Sequence, residues 1–282
     1  MYTTLISASE LKNFSSDIRI FDCSADLTNP QAGIEQYEEK HIPNALFADI
    51  NSDLSTHDKK LAVNGGRHPL PSREHFASWL ASQGVSNTTQ VVVYDRQGMN
   101  YCGRLWWMLK WCGHEAVAVL DGGLQAWLAD AGEVQHGRVP KPLATKFELH
   151  DPLVVLKHTS DVMASLGKPA QTIVDARAPA RYKGETEPFD PVAGHIPGAL
   201  NRPFSNNISA DGKMKTAQTL RTEFEALLAG HEHSGVVHHC GSGISAIPNI
   251  LAMEVAGMGR TALYAGSWSE WSNTPGLPCA QG

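Results

Sequence analysis

The stretch Val236-Val237-His238-His239-Cys240-Gly241-Ser242-Gly243-Ile244-Ser245-Ala246 gathers the residue types most able to do chemistry. A short β-branched run reads as a strand, ends in a cysteine and passes two glycines within three residues. It then enters a segment with helical periodicity at Ile244, Ile247, Leu251 and Val255. A cysteine at such a turn sits where backbone N–H groups converge and where the helix dipole is positive, and both favour thiolate over thiol. Cys240 is therefore the candidate nucleophile. A free cysteine is more often a buried structural residue, but the glycine-flanked turn argues the other way. His231, His233, His238 and His239 also lie near Cys240, yet adjacent strand residues alternate faces, so a zinc cluster is disfavoured.

With 282 residues and 42% hydrophobic content, the chain can bury a full core and fits two modest domains better than one. A net charge of −6 without a Lys/Arg cluster argues against nucleic acid or an anionic membrane as a partner. No apolar run approaches a membrane span, and the N-terminus lacks a basic-then-apolar pattern. Five cysteines, at positions 23, 102, 112, 240 and 279, show no Cys-x-x-Cys spacing. The expectation is a reduced, cytoplasmic protein without disulfides.

The elements that must position Cys240 are repeated along the chain. Ser7-Ala8-Ser9-Glu10 offers a capping box, and Ile18–Asp22 reads as a strand. His41-Ile42-Pro43 marks a turn, and Asn51 to Ser72 is polar and irregular. A helix from about Arg73 to Gln83 leads to a strand over Gln90–Asp95. A Trp-rich apolar helix, a strand over Ala116–Leu120 and a helix from Leu124 follow. Thr172–Asp175, His195-Ile196-Pro197, Gly235–Cys240 and Gly266–Trp271 repeat this order. Pairing Asp22 with Asp175 and His41 with His195, then Asp95 with Cys240, shortens the offset between the halves. The first half thus carries roughly nine extra residues, assigned to the polar stretch. The fold class expected is α/β, two tandem domains each with a mainly parallel sheet flanked by helices. The boundaries drawn are 1–139, a linker over 140–151 around Pro140-Lys141-Pro142, and 152–282.

The tandem repeat, the paired His-Ile-Pro turns and a loop cysteine in the second half only, with Asp95 opposite it, resemble the two-domain rhodanese superfamily over essentially the whole chain. Cys240-Gly241-Ser242-Gly243-Ile244-Ser245-Ala246 resembles the Cys-Gly-Ser-Gly-Val-Thr-Ala loop of 3-mercaptopyruvate sulfurtransferases. Thiosulfate:cyanide sulfurtransferases usually carry Arg and Lys after the cysteine. The resemblance implies that Cys240 takes a sulfane sulfur from a small anionic donor, becomes a persulfide and passes the sulfur on. The acceptor would be cyanide or a thiol such as thioredoxin or glutathione. It makes the 1–139 domain the inactive copy by virtue of Asp95. A persulfide's outer sulfur is partly negative, and the amides of Gly241, Ser242, Gly243, Ile244, Ser245 and Ala246 could cradle it, with no need for a metal or organic cofactor. A cysteine phosphatase would need an arginine where Ala246 stands. The alternatives are a thiosulfate:cyanide sulfurtransferase and a sulfur-relay protein that does not turn over a small donor.

The resemblance also implies that Arg181, before Tyr182, holds the donor's anionic group, and a planar guanidinium suits a carboxylate or thiosulfate. Mercaptopyruvate enzymes typically have a second arginine nine residues later. Here that residue is Asp190, whose charge is expected to repel an anionic donor. A Ser–His–Asp relay of the family maps onto Ser242 and His68, with Asn51 at the acidic position and Asp53 nearby. Simpler roles are expected elsewhere. Arg177 reads as an ion-pair former, Asp22 and Asp175 as caps of backbone N–H groups, and His41 and His195 as holders of their turns. The tryptophans 106, 107 and 111 read as packing, Cys23, Cys102 and Cys112 as buried, and Cys279 as an exposed bystander.

Overall fold

Two five-stranded, all-parallel sheets form from strands that are short and rich in β-branched residues. The computed structural model describes residues 1–282. The first sheet comprises β1 (Leu5–Ile6), β2 (Ile18–Asp22), β3 (Leu46–Phe47), β4 (Gln90–Tyr94) and β5 (Val117–Leu120), in the order β1-β5-β4-β2-β3. The second comprises β6 (Val155–Lys157), β7 (Thr172–Asp175), β8 (Leu200–Asn201), β9 (Val236–His239) and β10 (Ala262–Tyr264), in the order β6-β10-β9-β7-β8. The two orders are the same, so the sequence repeat is a repeat of topology. Central β4 and β9 are buried along their whole length, as strands covered on both faces must be.

Local chemistry explains the helices between them. Ser7 and Glu10 close a capping box at the helix Ala8–Lys12, and the Ser72 hydroxyl caps Arg73–Ser82. The helix Cys102–Trp111 is buried on every face. Its Trp106 and Trp107 bury large apolar rings, each worth about 3 kcal/mol or more in transfer terms. Lys110 of that helix is wholly buried and pairs with Glu115. Strands expected at Ile18–Asp22 and Thr172–Asp175 form as read, and the helix expected from Arg73 ends at Ser82. The two-residue strands β1, β3 and β8 and the helix Ala32–Glu39 were not read from sequence. Two residues are too few to carry an alternation signal, and they pair because a longer neighbour offers a free edge.

The chain divides into two compact units that are not simple halves. Unit 1 takes Met1–Leu61, Pro71–Leu153 and Ile208–Met214, and unit 2 takes Ala62–Leu70, Val154–Asn207 and Lys215–Gly282. The nine residues Ala62–Leu70 thus come from the first half of the chain but fold with the second sheet. They lie inside the polar stretch to which the extra length was assigned.

Candidate active site

In unit 1, the turn after β4 shows what this loop shape is built to hold. The Asp95 carboxylate accepts hydrogen bonds from the amides of Gln97 and Met99 at 2.9 Å, of Tyr101 at 2.8 Å and of Cys102 at 2.9 Å. Burial raises the Asp95 pKa, and these four N–H groups oppose that rise. The loop is a nest for an anion, filled by the chain's own side chain.

The turn after β9 in unit 2 has the same length. The helix begins at Ile247, in register with Cys102 when Cys240 is set opposite Asp95. Gly98 and Gly243 occupy the same step, and both take left-handed backbone, with φ of 68° and 78°. Gly243 has a second constraint, because a Cβ there would lie 2.3 Å from the Ala265 carbonyl oxygen. Cys240 itself is 2% exposed. Its amide donates to the Ser267 hydroxyl at 3.1 Å, which in turn donates to the Tyr264 carbonyl at 2.9 Å. Its carbonyl accepts from the amide of Trp268. The cysteine backbone is thereby fixed from two elements.

Around this loop the structure gathers most of the residues singled out from the sequence. Gly241, Ser242, Gly243, Ile244, Ser245 and Ala246 follow Cys240 and lead into the helix Ile247–Val255. His68, carried on the Ala62–Leu70 segment, sets its Nδ1 2.8 Å from the Ser242 hydroxyl. That segment closes on itself through Val63 N–H to the Leu70 carbonyl and Leu70 N–H to Asn64 Oδ1. Arg67 N–H donates to Ser269 Oγ, which anchors the segment beside the Cys240 loop. The Arg181 guanidinium pairs with Glu187 at 2.7 Å and would lie 3.2 Å from a Cβ placed on Gly241.

Asp190 departs from expectation. It was expected to face an anion as an unbalanced charge, yet its side chain is 2% exposed and hydrogen-bonded by Arg67, with Arg181 3.6 Å away. Its charge is met by two guanidiniums, Arg67 hydrogen-bonded to Oδ1 and Arg181 at 3.6 Å from Oδ2. Arg67 was missed from sequence because it contacts Asp190 123 positions away. Its place next to His68 in Gly65-Gly66-Arg67-His68 was the available signal. Asp53, considered as a relay member, accepts instead from Trp79 Nε1 at 3.0 Å and from the Asp49 amide at 2.9 Å within unit 1. The Asn51 amide donates to Asp49.

Residues read as structural have structural partners. Arg177 is buried against Asp175, Glu187 and the Gly194 carbonyl. Asp22 accepts from the Ser24 amide, and His41 and His195 bond the Tyr37 and Tyr182 carbonyls at 2.8 Å. Cys23, Cys102 and Cys112 are buried and Cys279 is exposed. His238 and His239 diverge, as alternation requires. His238 Nε2 meets Met253 Sδ at 3.3 Å, whereas His239 Nε2 lies 3.5 Å from Asp175. Burial pushes His238 down to about 3 and also lowers His239.

A stability consequence follows for His238. Its folded pKa lies below its unfolded value of 6.5, so its contribution is complete above pH 6.5. That contribution is lost as pH falls toward about 3, with a slope of about 1.4 kcal/mol per pH unit. Urea unfolding of His238→Gln across this range should show a shallower acid limb than the parent. An acid limb of unchanged slope would contradict a neutral, buried His238.

The rhodanese-like domain family matches twice, over residues 7–130 and 158–274. The chain is 40% identical over 268 residues to a probable 3-mercaptopyruvate sulfurtransferase of Pseudomonas aeruginosa, covering 94% of this chain and 93% of the relative. It is 36% identical over 284 residues to a putative thiosulfate sulfurtransferase, SseB, of Mycobacterium tuberculosis, covering 99% and 97%. Among solved structures, SseA from Escherichia coli, a 3-mercaptopyruvate sulfotransferase, superposes with a TM-score of 0.80 at 30% identity, covering 95% of this chain and all of that one.

Proposed function

Because the chain belongs to the rhodanese-like domain family, with two copies of the domain, we propose that it is a sulfurtransferase. It moves a sulfane sulfur from 3-mercaptopyruvate to a thiol or cyanide through a Cys240 persulfide. The Cys240 thiolate attacks the donor's sulfur, an S–S bond forms and the donor's C–S bond breaks. The electron pair goes to carbon, giving the enolate of pyruvate, which must take up a proton. An incoming thiolate then attacks the outer sulfur and releases Cys240 as thiolate. The amides of Gly241 to Ala246 hold the charged sulfur, as four amides hold the Asp95 carboxylate in the sister loop. Arg181 holds the donor's anionic end. We infer a cytoplasmic setting from the five free cysteines. No helix is long and apolar enough to cross a membrane.

The observation that carries the choice of donor is the 2.8 Å contact between Ser242 Oγ and His68 Nδ1. A carbon leaving group needs a proton, and a hydroxyl backed by an imidazole can supply one two residues from the nucleophile. Sulfite leaving from thiosulfate departs as a stable anion and needs no such acid. Thiosulfate is the second reading, favoured by the Mycobacterium tuberculosis relative.

The test is intact-mass analysis after incubation with each donor, joined to side-by-side kcat/KM. Mercaptopyruvate should add the mass of one sulfur, removed again by thiol, and should give the larger kcat/KM. Ser242→Ala should lower kcat with mercaptopyruvate by about 10²-fold and leave thiosulfate turnover nearly unchanged. Equal losses with both donors would remove the acid role. No mass gain with either donor would favour a relay protein charged by another enzyme.

A further inference from the structure

One short helix holds both members of the Ser242–His68 pair through its first turn. The helix Ser267–Trp271 follows β10. The Trp268 and Ser269 amides donate to the carbonyls of Cys240 at 3.0 Å and of Gly241 at 2.8 Å. Those two bonds fix the start of the loop that carries Ser242. The Ser269 hydroxyl serves a different part of the chain. It accepts from the Arg67 amide, 202 positions away, at 3.1 Å and donates to the Gly266 carbonyl at 3.2 Å. One accepting and one donating bond fix its orientation, and the residue is 3% exposed.

The segment held by Ser269 is closed on itself. Besides the bonds between Val63 and Leu70 and between Leu70 and Asn64, the Asn64 side-chain amide donates to the Gly65 carbonyl at 2.6 Å. The segment reaches the helix through Gly66, which has φ of 87°. A Cβ there would lie 2.6 Å from Ser269 Oγ and 2.8 Å from the Gly266 carbonyl oxygen. A closed loop pinned at Arg67 carries the next residue with it, and His68 Nδ1 meets Ser242 Oγ at 2.8 Å. In unit 1, pairing Trp127 with Trp271 sets exposed Gln125 opposite Ser269, and its side chain turns to the Arg96 carbonyl instead. The copy without a loop cysteine has no hydroxyl at this position.

We propose that Ser269 is a positioning residue for the proton transfer, acting through His68. Its amide holds the Cys240 loop and its hydroxyl holds the His68 segment, so one residue sets the spacing between them. A displacement of about 1 Å would take the imidazole out of hydrogen-bond reach of Ser242. The effect on turnover rests on the sulfurtransferase reading.

The experiment pairs hydrogen exchange with donor kinetics in Ser269→Ala, which keeps the backbone bond to Gly241 and removes only the hydroxyl. Exchange in a peptide spanning residues 62–70 should quicken about tenfold or more, because the Arg67 amide loses its acceptor. Exchange over 240–246, and the rate at which neutral iodoacetamide alkylates Cys240, should stay at parental values. With mercaptopyruvate, kcat should fall roughly tenfold with little change in KM. Gly66→Ala, which drives a methyl group against the same hydroxyl, should give the same pattern. Parental exchange over 62–70 in Ser269→Ala overturns the proposal. Faster exchange there with an unchanged kcat overturns it too, as does a fall in the alkylation rate, which would mark a disturbed Cys240 loop. If the parent loads sulfur from neither donor, the sulfurtransferase reading is lost, and faster exchange over 62–70 in Ser269→Ala still upholds Ser269 as the residue that holds the His68 segment.

Discussion

Cys240→Ser is expected to abolish turnover with either donor, a fall on the order of 10⁴-fold or more in kcat. A hydroxyl at this position is not ionised near neutral pH and cannot carry a second sulfur as a persulfide. The substitution removes one polarisable atom and leaves the loop otherwise intact, because the Cys240 backbone is held through Ser267 and Trp268 and not through the thiol. The folded protein should therefore persist, with a thermal midpoint within a few degrees of the parent. Intact-mass analysis of the variant should show no sulfur gain even with excess donor. Substantial residual activity, or a sulfur retained on the variant, would move the nucleophile elsewhere and end the assignment.

Arg177→Met should have the largest effect on stability, a loss of about 3–5 kcal/mol. The Arg177 guanidinium bonds Asp175 at 2.7 Å and Glu187 at 3.2 Å, donates to the Gly194 carbonyl at 2.6 Å and lies 4.8 Å from the Trp268 ring centre. Its removal leaves Asp175 inside the protein without its main cation and Glu187 with Arg181 alone. Burial alone would raise the Asp175 pKa, but its charged neighbours outweigh that and hold it below 3.8. At neutral pH the permanent one of these neighbours is Arg177, since burial lowers His239. The Asp175 contribution is present above its unfolded pKa and lost as pH falls through its folded one, so the acid limb it gives the parent should shrink in the variant. Arg177→Lys should recover only part of the loss, because an ammonium cannot fork toward both acids. Urea unfolding is the measurement, and a loss under about 1 kcal/mol would show that the pair contributes no more than a surface salt bridge. Four residues on, Arg181 should behave oppositely, with effects on donor KM and little on stability.

The fold was legible because its signals are local. Central strands such as β4 and β9 are unbroken apolar runs, and caps such as Ser7 with Glu10 are read within four residues. The repeat then fixed the shared topology, since matched motifs in matched order leave few ways to wind a parallel sheet. Strands of two residues were invisible for the reason that makes them form, namely pairing with a neighbour distant in sequence. The division into halves was legible only in outline, because exchange of Ala62–Leu70 and Ile208–Met214 between units leaves no mark in composition.

For the site, the sequence by itself determined the loop. Its length, its glycine at 243 and its cysteine follow from steric limits on backbone and from the placement of amides at a helix start, all within eleven residues. Resemblance to the family also pointed to His68 as a candidate, and the nine-residue excess told where the first half departs from the second. Only the tertiary structure decided what surrounds that loop. Whether Arg177 or Arg181 faces inward depends on which carboxylates lie beneath each of them. Asp190 changes from an unbalanced charge to a paired one once Arg67 is seen against it. Charges act through space and are set by neighbours tens to hundreds of residues away, so their sum at Cys240 could not be read along the chain.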